Sequence, residues 1–392
     1  MKNKLNIGIA GCGIGGLALG ALLAAKGHHI QIFDQFKAPA PVGSGLVVQP
    51  VGQEVLRALG VAEAVLAKGA KISHMRGVES GSGRVALNVS YGARFGLAIH
   101  RASLFESLLS KALENGCEIV PSTEIIEQEG RYFTSKNGAR LGPFDALVDA
   151  SGAGSKLSPL KSTPLKYGAL WASVDWPAAS SLPQNRLSQV YGGATRMAGV
   201  LPIGSLPGET TPKAAIFWSL REDDYAAWRA APLTDWQQTV SDFWPEFAPF
   251  INQISSHDGL TMARYKHGTL RHKTKGHMTY IGDAAHCASP QLGQGANMAL
   301  LDAYALGTAL LNHPVEKALM AYDLARRQHV FSYQMMSRVL TPVYQSDSAV
   351  LPWLRNYILA PLSPIWPFSR VLTKVGAGDV IPPVRGVAWP PQ

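Results

Sequence analysis

Gly11, Gly13 and Gly16 stand in the order G-x-G-x-x-G, over Gly11-Cys12-Gly13-Ile14-Gly15-Gly16, and an acid, Asp34, follows 18 residues after Gly16. Glycines so spaced permit a tight turn, the close approach of a pyrophosphate and close helix–strand packing; the acid accepts from a ribose hydroxyl. Alone the pattern says little. Here residues 5–10 read as an apolar strand, 17–26 as a helix stopped by Gly27, and 29–33 as a second strand ending at Asp34. That is a complete βαβ unit, which binds a dinucleotide without choosing between NAD and FAD.

A second stretch, Tyr280 to Leu306, reads YIGDAAHCASPQLGQGANMALLDAYAL. Residues 278–281 form a short apolar strand that stops at Gly282-Asp283. A loop with Pro290, Gly293 and Gly295 follows, then a helix from about Asn297 with apolar Met298, Leu301, Ala305 and Leu306. A strand ending in an acid puts that carboxylate at the carboxyl edge of a sheet, where open α/β sheets take their ligands. The two glycines clear space for a flat ligand, and the helix start aims free N–H groups at it. That suits a ring system that becomes anionic on reduction, as a flavin does.

Together the two stretches resemble the class A FAD-dependent aromatic monooxygenases, the para-hydroxybenzoate hydroxylase-fold family, over roughly residues 5–338. The resemblance implies that Gly11, Gly13, Gly16 and Asp34 hold the ADP half of FAD, with Ile14 and Gly15 in the same loop. The family pattern G-D…P-x-x-G-Q-G-x-N matches Gly282, Asp283, Pro290, Gly293, Gln294, Gly295 and Asn297. It implies that Asp283 meets the ribityl chain and that the loop through Ala296 lies along the isoalloxazine. His100-Arg101-Ala102-Ser103-Leu104 resembles the family's helix-start arginine, so Arg101 reaches the cofactor. Gly45 and Leu46 fall where the family loop passes under the flavin, and Ile125 where a strand flanks the adenine. One motif departs: where the family has G-A-D-G-x-x-S, this chain has Asp149-Ala150-Ser151-Gly152-Ala153-Gly154-Ser155. Either Asp149 substitutes from two residues away or Ser151 holds the turn, where the family motif helps bind both FAD and the NADH or NADPH donor.

The implied fold is α/β: a Rossmann-type FAD-binding domain, a second, mostly antiparallel substrate sheet, and a C-terminal helical tail. The expected boundaries are 1–70, 96–163 and 276–345 for the FAD domain, 71–95 and 164–275 for the substrate sheet, and 346–392 for the tail. Between 37 and 50 an irregular loop carries Pro39, Pro41, Gly43 and Gly45; residues 53–59 read as helix. In the sheet, Trp171, Tyr191, Met197, Phe217 and Trp218 are candidate cavity residues, though alternating aromatics on strands more often form plain core. Residues 314–345 read as a long helix. The tail is rich in Leu, Ile, Trp and Phe, and Pro352, Pro361, Pro364 and Pro367 forbid one continuous helix. It either folds back over the long helix or makes weak membrane contact with Arg355, Arg370 and Lys374 as its basic flank.

Composition sets the outer bounds. A chain of 392 residues with 46% hydrophobic content buries a sizeable core and suggests two domains. Net charge is +9, which attracts anionic ligands; the basic run of residues 264–277 reads as a solvated sheet edge, with guidance of an acidic substrate or of NADPH phosphates as the alternative. Nothing resembles a nucleic-acid module. Cys12, Cys117 and Cys287 lie far apart, which argues for a reducing cytoplasm and against a disulfide framework or metal site. Cys12 and Cys287 fall in the two cofactor loops and are expected to be packing residues. No signal peptide and no spanning helix are expected.

The implied reaction is hydroxylation of an aromatic, quinone-like or other electron-rich small molecule. NAD(P)H reduces FAD, and the reduced flavin takes O₂ at C4a and delivers one oxygen atom, in a monomer or homodimer. His286 is expected to be structural. No catalytic base is named; His74, His100, Tyr191 and Tyr265 are unranked candidates. An FAD-dependent reductase or dehydrogenase of an unsaturated or quinone-like lipid, or a non-catalytic FAD-binding protein, would use the same cofactor domain. A flavin-dependent halogenase would carry W-x-W-x-I-P, which is absent.

Overall fold

The computed structural model of the protein describes residues 4–38, 44–387 and 389. Pro39, Pro41 and Gly43 of the expected loop lie outside the described residues. Five strands form a parallel sheet in the order Met278–Tyr280, Ala146–Asp149, Asn6–Ala10, His29–Phe33 and Glu118–Val120, with Thr274–Lys275 antiparallel at one edge. Ala146–Asp149 is wholly buried and Asn6–Ala10 nearly so, which explains their largely apolar sequence, while His29–Phe33 buries Ile30, Ile32 and Phe33. Register puts Ala10 opposite both Phe33 and Asp149, and Asp149 opposite Tyr280. Four strands therefore stop at one level, and Gly11, Asp34, Ala150 and the Gly282-Asp283 turn emerge at a common edge.

The helix Ile14–Ala24 lies close on this sheet because its glycines let it. A Cβ on Gly16 would sit 2.1 Å from the Gly11 carbonyl oxygen, and one on Gly20 would sit 2.8 Å from Ile32 Cδ1. The helix Gly295–Asn312 packs beside it, with Gly307 against Leu22. Both bury apolar residues all round, as interior helices do.

A second sheet has seven strands, in the order Thr261–Ala263, Tyr167–Asp175, Lys213–Arg221, Arg196–Pro202, Arg186–Gly192, His74–Glu79 and Val85–Ser90. All neighbours are antiparallel except Arg186–Gly192 with His74–Glu79. One face packs on the helices Tyr225–Ala230 and Leu233–Phe243. The other meets the cofactor domain: a Cβ on Gly45 would lie 2.4 Å from Ile203 Cγ2, and the His100 N–H donates to the Ile203 carbonyl at 2.9 Å.

Several local expectations need correction. The helix expected from 53 starts at Pro50, whose ring suits a first turn, and a separate helix, Ala62–Lys68, was not anticipated. In the basic run, His267 and Lys273 are buried; Lys273 pairs with Asp323 at 3.4 Å. Pro352 and Pro361 do not break the tail's first helical run, Val350 to Leu362. Each stands in an opening turn, and a wider π turn, Arg355–Leu359, precedes Pro361. The break falls at residues 363–367, before the helix Phe368–Ala377.

Candidate functional site

A cleft opens at the carboxyl edge of the parallel sheet. Gly11, Gly13, Ile14, Asp34, Arg101 and Ile125 all line it, with Phe105, Thr123, Glu124, Lys156 and the 150–155 turn. The glycines divide their work. Gly11 has φ +108°, and a Cβ there would strike the Ala150 carbonyl at 2.5 Å. Gly13 faces the cleft; its nearest protein atom from a Cβ would be Ala150 O at 4.0 Å. Gly15 and Gly16 face inward, Gly15 against Ile281 and Ala299. The Asp34 carboxylate accepts from the Cys12 N–H at 2.9 Å and from the Phe36 N–H at 2.9 Å, which fixes the glycine loop against the second strand.

The departing motif has its own internal solution. Asp149 is buried and accepts from the Ser151 N–H at 2.9 Å, the Ser151 hydroxyl at 2.5 Å and the Ser155 hydroxyl at 2.5 Å. Burial raises its pKa, and these hydrogen bonds offset only part of the rise. Asp149 thus ties the turn from behind, while Ser151 spends its hydroxyl on that tie.

The second loop closes with Pro290–Leu292 in a single 3₁₀ turn, ended by Gly293 at φ +60°. A Cβ on Gly295 would meet no protein atom within 4 Å, so this position also faces open space. The helix begins here: the first intrahelical bond runs from the Met298 N–H to the Gln294 carbonyl, so the Gly295, Ala296 and Asn297 N–H groups precede the ladder. The Asn297 side chain, by contrast, is buried and used by the protein. It accepts from the Gln49 N–H at 2.8 Å and donates to the Val47 and Gly293 carbonyls. It thereby binds the strand Gly45–Val48 to the loop ahead of its own helix; Leu46 of that strand packs on the main core.

Asp283 is accessible yet closely surrounded by protein beside Arg101, each charge acting on the other. Surrounding protein raises the Asp283 pKa, while His286 and Arg101 pull it back. Behind this turn lies a network that motif reading missed. Asp302 is fully buried; it accepts from His286 Nε2 at 2.6 Å, Arg326 Nε at 2.7 Å and the Gly282 N–H at 2.9 Å. Burial alone would raise its pKa, but the His286 and Arg326 charges outweigh that and hold it well below the carboxylate range. Arg326 also donates to His329 Nδ1 at 3.1 Å and to the Pro383 carbonyl. Burial and Arg326 push His329 down to about 3, so it is neutral and its Nε2–H donates to Gly378 O at 2.8 Å. The signal available in the sequence was an acid on an otherwise apolar helix, between Leu301 and Ala303.

The other named candidates fall away from proton transfer. His100 caps its helix, Nδ1 accepting from the Ala102 N–H at 3.1 Å. His74 is exposed beside the Ser73 hydroxyl. Tyr191 and Tyr265 are held far above the ordinary phenol range by burial; Tyr265 accepts from Trp171 Nε1 at 2.8 Å. Burial pushes Cys12 up to about 12 and Cys287 up to about 11, so both thiols stay protonated. Trp171, Tyr191, Met197 and Phe217 share the sheet face turned to the cofactor domain and the tail. Trp218 does not: one residue on, it points to the opposite core beside Phe243.

Comparison with known proteins agrees with this layout. The family described as FAD binding domain matches residues 4–335. The chain is similar to an aurachin C monooxygenase/isomerase of Stigmatella aurantiaca, 26% identical over 378 residues, covering 93% of this chain and 96% of that one. It is also similar to a 3-hydroxybenzoate 6-hydroxylase of Polaromonas naphthalenivorans, 24% identical over 361 residues, covering 86% and 88%. Among solved structures, 2-methyl-3-hydroxypyridine-5-carboxylic acid oxygenase superposes with a TM-score of 0.79 at 19% identity, covering 95% of this chain and 97% of that one. The chain belongs to the FAD-binding family, and within it to the class A FAD-dependent aromatic monooxygenases. It is an oxidoreductase with FAD as cofactor and NAD(P)H as the family's electron donor.

Proposed function

We propose that this protein hydroxylates an aromatic or quinone-like small molecule with O₂. The observation that carries the reading is the meeting of the first glycine loop, Asp34 and Arg101 in one cleft, with Asp283 close enough to Arg101 for the two charges to interact. In it, Gly11, Gly13, Ile14, Gly15, Gly16, Asp34 and Ile125 hold the ADP half of FAD. Gly45, Leu46, Arg101, Asp283, Pro290, Gly293, Gly295, Ala296 and Asn297 hold the flavin half. Within the two loops, Gly13 and Gly295 leave space on the side where a Cβ would stand, which fits a group that lies against the backbone. Bound FAD supplies the electron transfer and oxygen activation. The chain's own contribution is to orient and shield: the Gly295–Asn297 N–H groups offer a positive helix start to developing negative charge, and Asn297 keeps that helix start in register with the strand Gly45–Val48.

The reading includes a cofactor domain of 1–70, 96–163 and 276–345 and a substrate sheet of 71–95 and 164–275, with the tail from 346 closed over both. The shared seven-stranded sheet supports joining 71–95 to 164–275. It includes a cytoplasmic location, supported by three buried free cysteines, and weak lipid contact through the tail. Among the described residues, no helix is long and apolar enough to cross a membrane. The test is a panel of aromatic and quinone-like compounds incubated with the FAD-loaded protein, following NADH and NADPH oxidation together with O₂ uptake. Stimulated oxidation with matching O₂ uptake and a hydroxylated product is expected. Stimulated oxidation with no O₂ consumed would make it a reductase and overturn the proposal.

A further inference from the structure

The tail's first helical run is amphipathic the wrong way round. Its polar side chains face the protein: Arg355 is 1% exposed, and Asn356 and Ser363 are also buried. They are satisfied there. Arg355 bonds Glu79, the Gly193 carbonyl at 3.1 Å and the Val343 carbonyl at 3.2 Å, and its guanidinium lies over the Tyr191 ring at 4.6 Å. Asn356 donates to Glu79 at 2.7 Å. The apolar side chains face out. Trp353 is 55% exposed and stacks on exposed Tyr357 four residues on, and the next residue, Ile358, is exposed as well. The turn that follows carries Trp366, 74% exposed, and the next helix adds Phe368 and Val371. An outward apolar face of this extent is an interaction surface, since nothing in the fold requires it.

The surroundings say what it meets. No acidic residue occurs between Asp347 and Asp379, whereas Arg370 and Lys374 lie exposed on the second helix and Arg84 sits over the Tyr357 ring at 4.2 Å. Indole and phenol rings rimmed by cations, on short segments too brief to span, have the composition of a surface that lies in the headgroup layer. We propose that this face docks on an anionic lipid bilayer, with Trp353, Tyr357, Trp366 and Phe368 entering the headgroup–acyl boundary and Arg84, Arg370 and Lys374 meeting lipid phosphates. The docked helices are anchored through Arg355 to the substrate sheet and through the Val375 and Gly376 carbonyls to Gln294 of the flavin loop. A lipid-dissolved substrate would therefore be met at the sheet that covers the cofactor. The inference rests on this surface and not on the oxygenase reading.

The test is co-sedimentation of the full, FAD-loaded chain with phosphatidylcholine vesicles, with and without one-third phosphatidylglycerol, in the absence of substrate and donor. Binding to the anionic vesicles is expected, weakening as salt is raised. The pair Arg370→Gln and Lys374→Gln should weaken it by about fivefold for each residue. The pair Trp353→Glu and Trp366→Glu should abolish it while leaving the FAD content and visible spectrum unchanged, because both rings face solvent. The proposal is overturned if neither vesicle binds the wild type, or if binding is indifferent to both pairs of substitutions. It is equally overturned if the wild type ignores vesicles but forms a dimer, by light scattering, that the tryptophan pair dissociates; the face would then belong to a second copy. Any of these results leaves the oxygenase reading standing.

Discussion

Replacing Asp302 by Asn keeps the shape of the side chain, removes its charge and turns one of its two accepting oxygens into an NH₂ donor. Arg326, wholly buried, then loses its carboxylate partner, and so does His286. Breaking a buried ion pair from one side costs about 3–5 kcal/mol, because the remaining charge is left uncompensated. For 392 residues, an unfolding entropy of about 2 cal/mol/K per residue makes 1 kcal/mol worth a little over 1 °C. The expected loss is therefore about 4–6 °C in Tm, read by thermal unfolding of the FAD-loaded protein. The Gly282 N–H is held by the same carboxylate, so FAD affinity should fall as well. Because Asp302 has a lower pKa folded than unfolded, its stabilisation is complete above about pH 4 and disappears as pH falls through the folded value. The gap between wild type and variant should thus hold near neutrality and close only in acid. Adding Arg326→Met should recover part of the loss. A single variant whose Tm moves by less than about 1 °C, with unchanged FAD affinity, would refute the view that this network supports the flavin turn.

Gly13→Val should give a folded chain without FAD, since the new side chain enters only the cleft; flavin released from purified protein by denaturation measures this. Gly16→Ala should act oppositely, lowering stability by about 1–3 kcal/mol through overpacking against the Gly11 carbonyl, as read by urea unfolding. Ser151→Asp alone sets two carboxylates side by side and removes a hydroxyl donor from Asp149; anaerobic flavin bleaching by NADH or NADPH should slow, and the double change with Asp149→Gly should restore it. With the thiols buried and protonated, a thiol reagent should leave the native protein unlabelled for as long as it stays folded, and label all three cysteines in guanidinium.

What could be read from the sequence was local. Gly11, Gly13 and Gly16 announce themselves because each answers a steric demand set by neighbours within a few residues, and Asp34 lies one βαβ unit away. The features that escaped depend on partners far along the chain. Asp302 acquires meaning only from Arg326 and His286; Asn297 stood in the motif, but its bracing role comes only from Gln49 and Val47. Lys273 reads as one more base in a polar run until Asp323 is brought beside it. Trp218 and Phe217 are adjacent in sequence and equally apolar; only the register of the sheet decides which faces the cofactor domain. The tail's proline spacing suggested breaks, yet a proline in an opening turn costs a helix little.

The carbonyls of Val375 and Gly376 receive Gln294, Gly378 O receives His329, and Pro383 O receives Arg326. These acceptors are synthesised after every other part of the cofactor site. A growing chain thus exposes its first glycine loop, and even Asp283, long before the second loop can be braced. Truncation before Lys374 is therefore expected to loosen FAD, which flavin lost from the protein on gel filtration would measure.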